Sequence, residues 1–348
     1  MRREGIILSF VVVLTLLTIS ACTGAEASEA VIEAAWSTSA HADSEARAFT
    51  RWDNNDPPEI PENCAKCHST PGYQDFLGTD GSTPGQVDNP APTSTTVECE
   101  ACHNEVSVEK DGAIMPSKVE LVELGRNSDC MECHQGRSSS VQVDELLVGL
   151  PPDNVNEDIS GPGVHNSPVG PTLYGSEALG GYEYSEKSYS DRYGHVVDFD
   201  SCISCHDSHS LRVDPQRCSA CHLGVRTKED FHNIRASNVD YDGDRDTNEG
   251  MAGEIETLEK KLLQAIVHYT SNTSGVEPLV INGRFVNEAG ESYSTWTPRL
   301  LRGAFNYQYS TKGPGSFVHN PGYIIQLLYD SIEDMGGSLS GMTRPELN

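Results

Sequence analysis

Basic residues are scarce in this chain: 24 Lys and Arg stand against 52 Asp and Glu, a formal net charge of −28 over 348 residues. A surface this acidic repels phosphate backbones and anionic headgroups, which excludes nucleic-acid partners and favours soluble, basic or cation-bridged ones. Apolar side chains are few as well. Hydrophobic residues make up 36% and aromatics 7%, while Gly and Pro number 31 and 19. A large self-sufficient side-chain core is not expected, so something other than Leu and Val must fill the middle.

One apolar stretch stands out, Ile6 to Leu17, preceded by Met1-Arg2-Arg3. It has the charged start and greasy middle of a secretory signal and is too short for a membrane span. It closes on Ile19-Ser20-Ala21-Cys22, which resembles the bacterial lipobox, where the signal is cut before a Cys whose thiol is then acylated. The expectation is a signal peptide over 1–21 and a lipid anchor at Cys22, tethering an extracytoplasmic protein to a membrane.

Of eleven cysteines, Cys22 alone lacks a partner. The other ten form five C-x-x-C pairs, each followed at once by His: Cys64/Cys67-His68, Cys99/Cys102-His103, Cys130/Cys133-His134, Cys202/Cys205-His206 and Cys218/Cys221-His222. This is the attachment signature of c-type haem. Two thiols three positions apart on a helical turn reach the two vinyl groups of one haem edge, and the next residue aims its imidazole at the iron. A disulfide framework or zinc ribbons also use paired cysteines, but neither requires the trailing His, and five pairs do not divide among four-Cys zinc sites. Five covalent haems c are therefore expected. A flat apolar porphyrin supplies the filling that the side chains lack.

The five motif histidines are the expected proximal iron ligands. Seven others remain: His41, His165, His195, His209, His232, His268 and His319. No Met stands in a setting that singles it out, so bis-His ligation is the economical reading, with lower potentials than His/Met cytochromes. His209 follows His206 by three residues and cannot reach round to the far face of its own haem; if it binds iron, the iron is a neighbour's. His41 would fold back from ahead of the first motif. His165 and His195 flank the long gap between the third and fourth motifs. His319 precedes a helix, and His232 completes the distal candidates. His268 lies in an amphipathic helix and reads as a packing residue.

Residues 22–60 read as anchor, tether and entry segment, with Trp36 and Trp52 suggesting that the second half packs on something. Residues 61–232 hold all five motifs, dense enough that each haem touches another. The Gly-, Pro-, Ser- and Tyr-rich stretch between motifs three and four shows no helical period and is expected as irregular loop wrapped on porphyrin. Residues 233–348 change character. Apolar residues recur at helical spacing from Gly253 to Ser271, and Thr297-Pro298 and Asn320-Pro321 look like N-caps with first-turn prolines. The expected fold is thus a multihaem cytochrome c of low regular structure, mainly α, with long loops on packed haems and a helical C-terminal cap.

Between these parts lies a run of alternating carboxylates. Read as a 12-residue EF-hand-like loop, it offers oxygens from Asn238, Asp240, Asp242, Asp246 and Glu249, a backbone carbonyl from Asp244, and Gly243 at the sharp turn. Arg245 replaces the aliphatic residue that pairs two such loops, so this one would stand alone. Ca2+ in a structural role is expected, against the plainer reading of a solvated acidic turn.

On its five C-x-x-C-H motifs and scattered distal histidines, the chain resembles the multihaem c-type cytochromes over roughly residues 36–330. Pentahaem nitrite reductases carry five haems and a calcium, but their catalytic haem usually has Lys as proximal ligand, whereas all five motifs here end in His. Surface-exposed electron-conduit cytochromes, including those that polymerise into filaments, fit better. That resemblance implies an electron carrier exchanging electrons with redox proteins or extracellular acceptors. Two alternatives stand beside it: a multihaem terminal reductase of a small nitrogen or sulfur oxyanion, which needs an open haem face, and a homopolymeric filament subunit, in which a distal ligand such as His41 serves the next subunit.

Overall fold

A computed structural model describes residues 28–235 and 237–347; the expected signal segment and Cys22 lie outside the described residues. Four of the haem motifs hold both cysteines within one short helix: Glu62–His68, Cys99–Cys102, Asn127–Cys133 and Cys202–Cys205. The fifth departs from that expectation. Its helix, Pro215–Cys218, ends at the first cysteine, and Cys221 lies beyond it, exposed, in a tighter turn closed by its own N–H donating to the Cys218 carbonyl at 3.2 Å. The physical reason is where the helix starts: Asp214 caps it and Pro215 opens it, so its single turn is spent before Cys221 is reached.

In the last four motifs, the fifth included, the His backbone N–H donates to the carbonyl of the first Cys, at 2.8–2.9 Å. That bond closes the turn that presents two sulfurs and an imidazole together. Regular structure around these turns is sparse. Strands occur, among the described residues, only as two- or three-residue antiparallel pairs: Glu59–Ile60 with Ala91–Pro92, Ala113–Ile114 with Glu120–Leu121, and Leu279–Ile281 with Arg284–Val286.

The C-terminal part is built differently. Three helices, Met251–Thr273, Pro298–Lys312 and Pro321–Asp334, pack on one another. Their starts follow the sequence closely. Thr297 Oγ1 accepts from the Leu300 N–H at 3.1 Å, and Asn320 Oδ1 accepts from the Tyr323 N–H at 3.1 Å, each with Pro at the first helical position. The inward stripe joins Leu258, Leu262 and Ile266 to Leu300, Leu301, Phe305, Ile324 and Leu328, all essentially fully buried.

The boundary expected at residue 232 is not a boundary of this core. Val143, Leu147, Ile159, Tyr182 and Tyr189, from between the third and fourth motifs, belong to the same cluster. Buried amides hold this loop on the helices. Asn306 accepts from the Tyr182 N–H at 2.7 Å and donates to its carbonyl at 2.9 Å, and Gln326 accepts from the Ser190 N–H at 2.8 Å. Paired amides satisfy loop backbone that burial would otherwise strand. The stretch expected to lie on porphyrin thus packs in good part on protein. No helix among the described residues is long and apolar enough to cross a membrane.

Candidate haem centres

The ten motif cysteines form no disulfides, and at the outer ends of their motifs Cys99 and Cys221 are exposed while the other eight are partly covered. What the structure places opposite the motif histidines decides whether haem fits. His41 faces His134 with ring centroids 6.2 Å apart, His165 faces His68 at 5.8 Å, His209 faces His103 at 6.2 Å, and His195 faces His222 at 6.2 Å. Two imidazoles bonded end-on to one metal from opposite sides, with metal–nitrogen distances of about 2.0 Å, put their centroids about 6.3 Å apart. The observed separations match a shared metal between each pair. Four of the five motif histidines thus face a distal candidate, and buried His319 is the candidate left for the fifth, His206. His209 faces the second motif's histidine, not its neighbour His206. His41 faces a histidine of its own chain.

The donor chemistry fits as well. Iron needs the lone pair of a neutral imidazole. Burial, and next the neighbouring His134, lower the pKa of His41 to about 4; burial, and next His206, lower that of His319 to about 4. Burial also depresses His68, with His165 the next cause, and His134, with His206 the next. Several rings have one nitrogen occupied by a backbone carbonyl. Nδ1 of His68 lies 2.9 Å from the Ala48 oxygen, that of His206 3.0 Å from Leu211, and that of His165 3.1 Å from Asn166. A Nδ1–H donated to a carbonyl fixes the tautomer and leaves Nε2 free for metal.

His232 is placed elsewhere. Its ring packs edge-on against Phe317, centroids 4.8 Å apart, so this distal candidate faces a phenyl ring and not a motif histidine. His268 is on the exposed face of the 251–273 helix beside Asn272.

The motifs also meet one another. Cys67 Sγ donates to the Glu132 carbonyl at 3.7 Å and Cys133 Sγ to the Lys66 carbonyl at 3.9 Å, joining motifs one and three. Motifs three and four are joined by the Cys202 N–H, which donates to Asn127 Oδ1 at 2.9 Å. Cys102 lies near Cys130, and Cys218 near Cys205. Of the fifth motif's two sulfurs, Cys218 is partly covered and Cys221 is exposed. Beside the contact of motifs one and three, buried Glu132 is clamped by Lys66 at 3.0 Å and Lys110 at 2.9 Å. Sequence reasoning missed this ion-pair cluster, because three residues so far apart leave no local signal. The entry segment is tied in by Trp36, whose Nε1–H donates to the Val97 carbonyl at 3.0 Å, and by buried Trp52, edge-on to His68 at 5.3 Å.

In the acidic loop, Asp240, Asp242 and Asp244 bring oxygens together, and Asp242 does so again with Glu249 and Glu254. Burial and the surrounding carboxylates, Asp242 first, push the Glu249 pKa up to about 7. Asn238 and Asp246 are exposed and stand outside both groups. Glu254, which the EF-hand frame ends five residues short of, was not anticipated.

Comparison with known proteins adds sequence likeness. A family model described as cytochrome c554 and c-prime matches residues 27–104. The chain is 22% identical over 343 residues to the C-type polyheme cytochrome OmcB of two Geobacter sulfurreducens strains, covering 78% of this chain and 43% of the relative. It thus spans less than half the length of the curated relatives it matches. Among solved structures, the outer cell wall cytochrome OcwA superposes with a TM-score of 0.43 at 16% identity, over 87% of this chain and 50% of that one. An undecaheme cytochrome from the S-layer of Carboxydothermus ferrireducens gives 0.40 at 16%, over 83% and 39%. By its attachment motifs and these sequence likenesses, the chain is similar to multihaem c-type cytochromes.

Proposed function

We propose that the protein is an electron carrier holding five covalent haems, each ligated by two histidines, and that it has no substrate of its own. The observation that carries this reading is the set of opposed imidazoles, His68 with His165, His103 with His209, His134 with His41 and His222 with His195, to which the reading adds His319 for His206. Haem when bound supplies one-electron iron chemistry at a potential set largely by its axial ligands. The chain's residues do the rest. Ten sulfurs fix the porphyrin edges, five turns aim the proximal imidazoles, and the distal imidazoles close the faces where a substrate would otherwise bind. The terminal-reductase alternative needs an open face, and the pairing supports the carrier reading over it.

The contacts between motifs support an order for the path. Motif one meets motif three and three meets four; a bridge of His206 with Val213 turns motif four straight into motif five, and Cys102 of motif two packs with Tyr73, whose hydroxyl donates to Asp129 beside motif three. Electrons would then run 1–3–4–5 with the second haem as a branch. The filament alternative is less favoured, since His41, the ligand it would lend to the next subunit, faces His134 of its own chain. We place the protein outside the cytoplasm, anchored through Cys22 and exchanging electrons with redox proteins or extracellular acceptors at a membrane or cell surface. A divalent cation in the acidic loop is the second cofactor of this reading.

Low-temperature EPR of the oxidised holoprotein tests the central point. Low-spin ferric signals alone are expected. A strong signal near g of about 6, the mark of open ferric haem, overturns the carrier reading. His319→Ala then serves as the positive control, opening one face and creating that signal at about one haem in five.

A further inference from the structure

Resting on the cation reading above, we propose that Ca2+ is held by Asp240, Asp242, Asp244 and Glu249, braced by Glu254, and that it clamps together the start of the 251–273 helix and the C-terminal tail. This ligand set differs from the EF-hand frame, which calls on Asn238 and Asp246. Neither Asn238 nor Asp246 belongs to the two groups of converging oxygens, and both are exposed.

Acidic clusters are common without an ion, but this one has a buried and unpartnered member. Asp242 is fully buried. Its Oδ1 accepts from the Asp244 N–H at 2.9 Å, while its Oδ2 has no hydrogen-bond partner. Oε1 of Glu249 is likewise buried and unpartnered. A stranded carboxylate oxygen of this kind is costly unless a cation meets it. Protein cations do not suffice. Arg235 is committed to Glu254 at 2.6 Å, and Lys261 donates to the Asp242 carbonyl oxygen rather than to a carboxylate. Hard carboxylate oxygens from several residues suit Ca2+.

Glu254 acts as a brace. Its Oε2 accepts from the backbone N–H groups of Tyr241 and Asp242, both at 2.9 Å, so the first turn of the helix grips the loop. The Met251 N–H donates to the Ile234 carbonyl at 3.0 Å, closing the loop at its base. From the other side comes the tail: the Thr343 N–H donates to the Tyr241 carbonyl at 3.1 Å, and a Cβ at Gly243, which sits at φ +82°, would lie 2.7 Å from the Gly341 backbone. The helix so anchored packs against Ser316–His319, the turn that carries the distal histidine of motif four.

Calorimetric titration of EGTA-treated, haem-replete protein with CaCl2 tests this, with haem content measured by pyridine haemochrome in parallel. One Ca2+ per chain is expected, with a Kd in the roughly micromolar to millimolar range, and a thermal midpoint raised by on the order of 5 °C at a hundredfold excess over that Kd. Asp242→Asn should weaken binding at least about tenfold, and Asp246→Asn by less than about threefold. If Asp242→Asn lowers haem content, Asp240→Asn is the deciding variant, with the same tenfold loss expected. Absence of binding to the haem-replete wild type overturns the proposal and leaves the electron-carrier reading standing. Equal weakening by Asp246→Asn and the deciding variant restores the EF-hand frame and overturns the ligand set. Absence of haem from the wild type overturns the carrier reading instead, whatever the calcium result.

Discussion

The haem-bearing region and the helical region solve the same folding problem with different materials. Around the first three motifs the buried apolar side chains fall into small separate groups: Trp52, Ile60, Ala65 and Ala91 in one, Tyr73, Leu77 and Ala101 in another, Met115, Leu121, Leu124 and Met131 in a third. The C-terminal helices and the loop after motif three instead share one continuous cluster. Clusters as small as the first set cannot offset the conformational entropy of ordering the chain that surrounds them, whereas the continuous core can. On the proposed ligation, porphyrin would stand in for a side-chain core in the first region, while the second region, which lends His165 and His319, has a core of its own.

The strongest consequence follows directly. Made without haem attachment, the chain should lose order around the motifs and keep it in the helical core. Limited proteolysis is then expected to cut freely within 61–135 and 195–235, while 140–190 and 250–340 survive as associated fragments. Uniform lability or uniform resistance along the chain would erase the distinction between the regions.

A smaller effect probes the second region alone. Leu258 is fully buried among Leu262, Ile266 and the facing helices, and Leu258→Ala there should cost about 2–5 kcal/mol. The loss is expected as a lowered unfolding midpoint of the helical region, with haem content and the low-spin spectrum unchanged. A spectral change on this substitution would mean that the two regions share one core.

How much of this was legible in the sequence depended on range. The attachment motifs were, because sulfurs and imidazole act within a few residues; what spacing alone did not show is that the helix of the fifth motif stops at Cys218 and leaves Cys221 in the turn beyond. The C-terminal helices were nearly so: periodicity gave Gly253 to Ser271 where Met251–Thr273 is found, the buried stripe itself beginning at Met251. Thr297 and Asn320 were readable as caps because capping is local. The pairing of distal histidines was not, because His41 and His134 are brought together by the packing of the entry segment, and no spacing records that. The role of Tyr182 and Tyr189 in the helical core was hidden for another reason. Their segment has no period, and its order comes from amides on distant helices, Asn306 and Gln326. Glu254 was hidden by the motif itself, which stops at Glu249.

The mildest consequence sits on the seam between the regions. His232 looks like a ligand in sequence, one more histidine after five motifs, but its ring meets Phe317 edge-on at 4.8 Å. Phe317 lies two residues before His319, so the contact supports a ligand-bearing turn without reaching iron. An aromatic pair of this geometry contributes about 0.5–1.5 kcal/mol beyond its buried area. His232→Ala should therefore lower the unfolding free energy by about 1 kcal/mol, and His232→Phe, which keeps an aromatic ring there, should recover most of it. Both variants are expected to retain wild-type low-spin EPR and haem content. If His232→Ala instead produced high-spin ferric haem that His232→Phe failed to abolish, His232 would be an axial ligand, and the pairing of His206 with His319 would have to be redrawn.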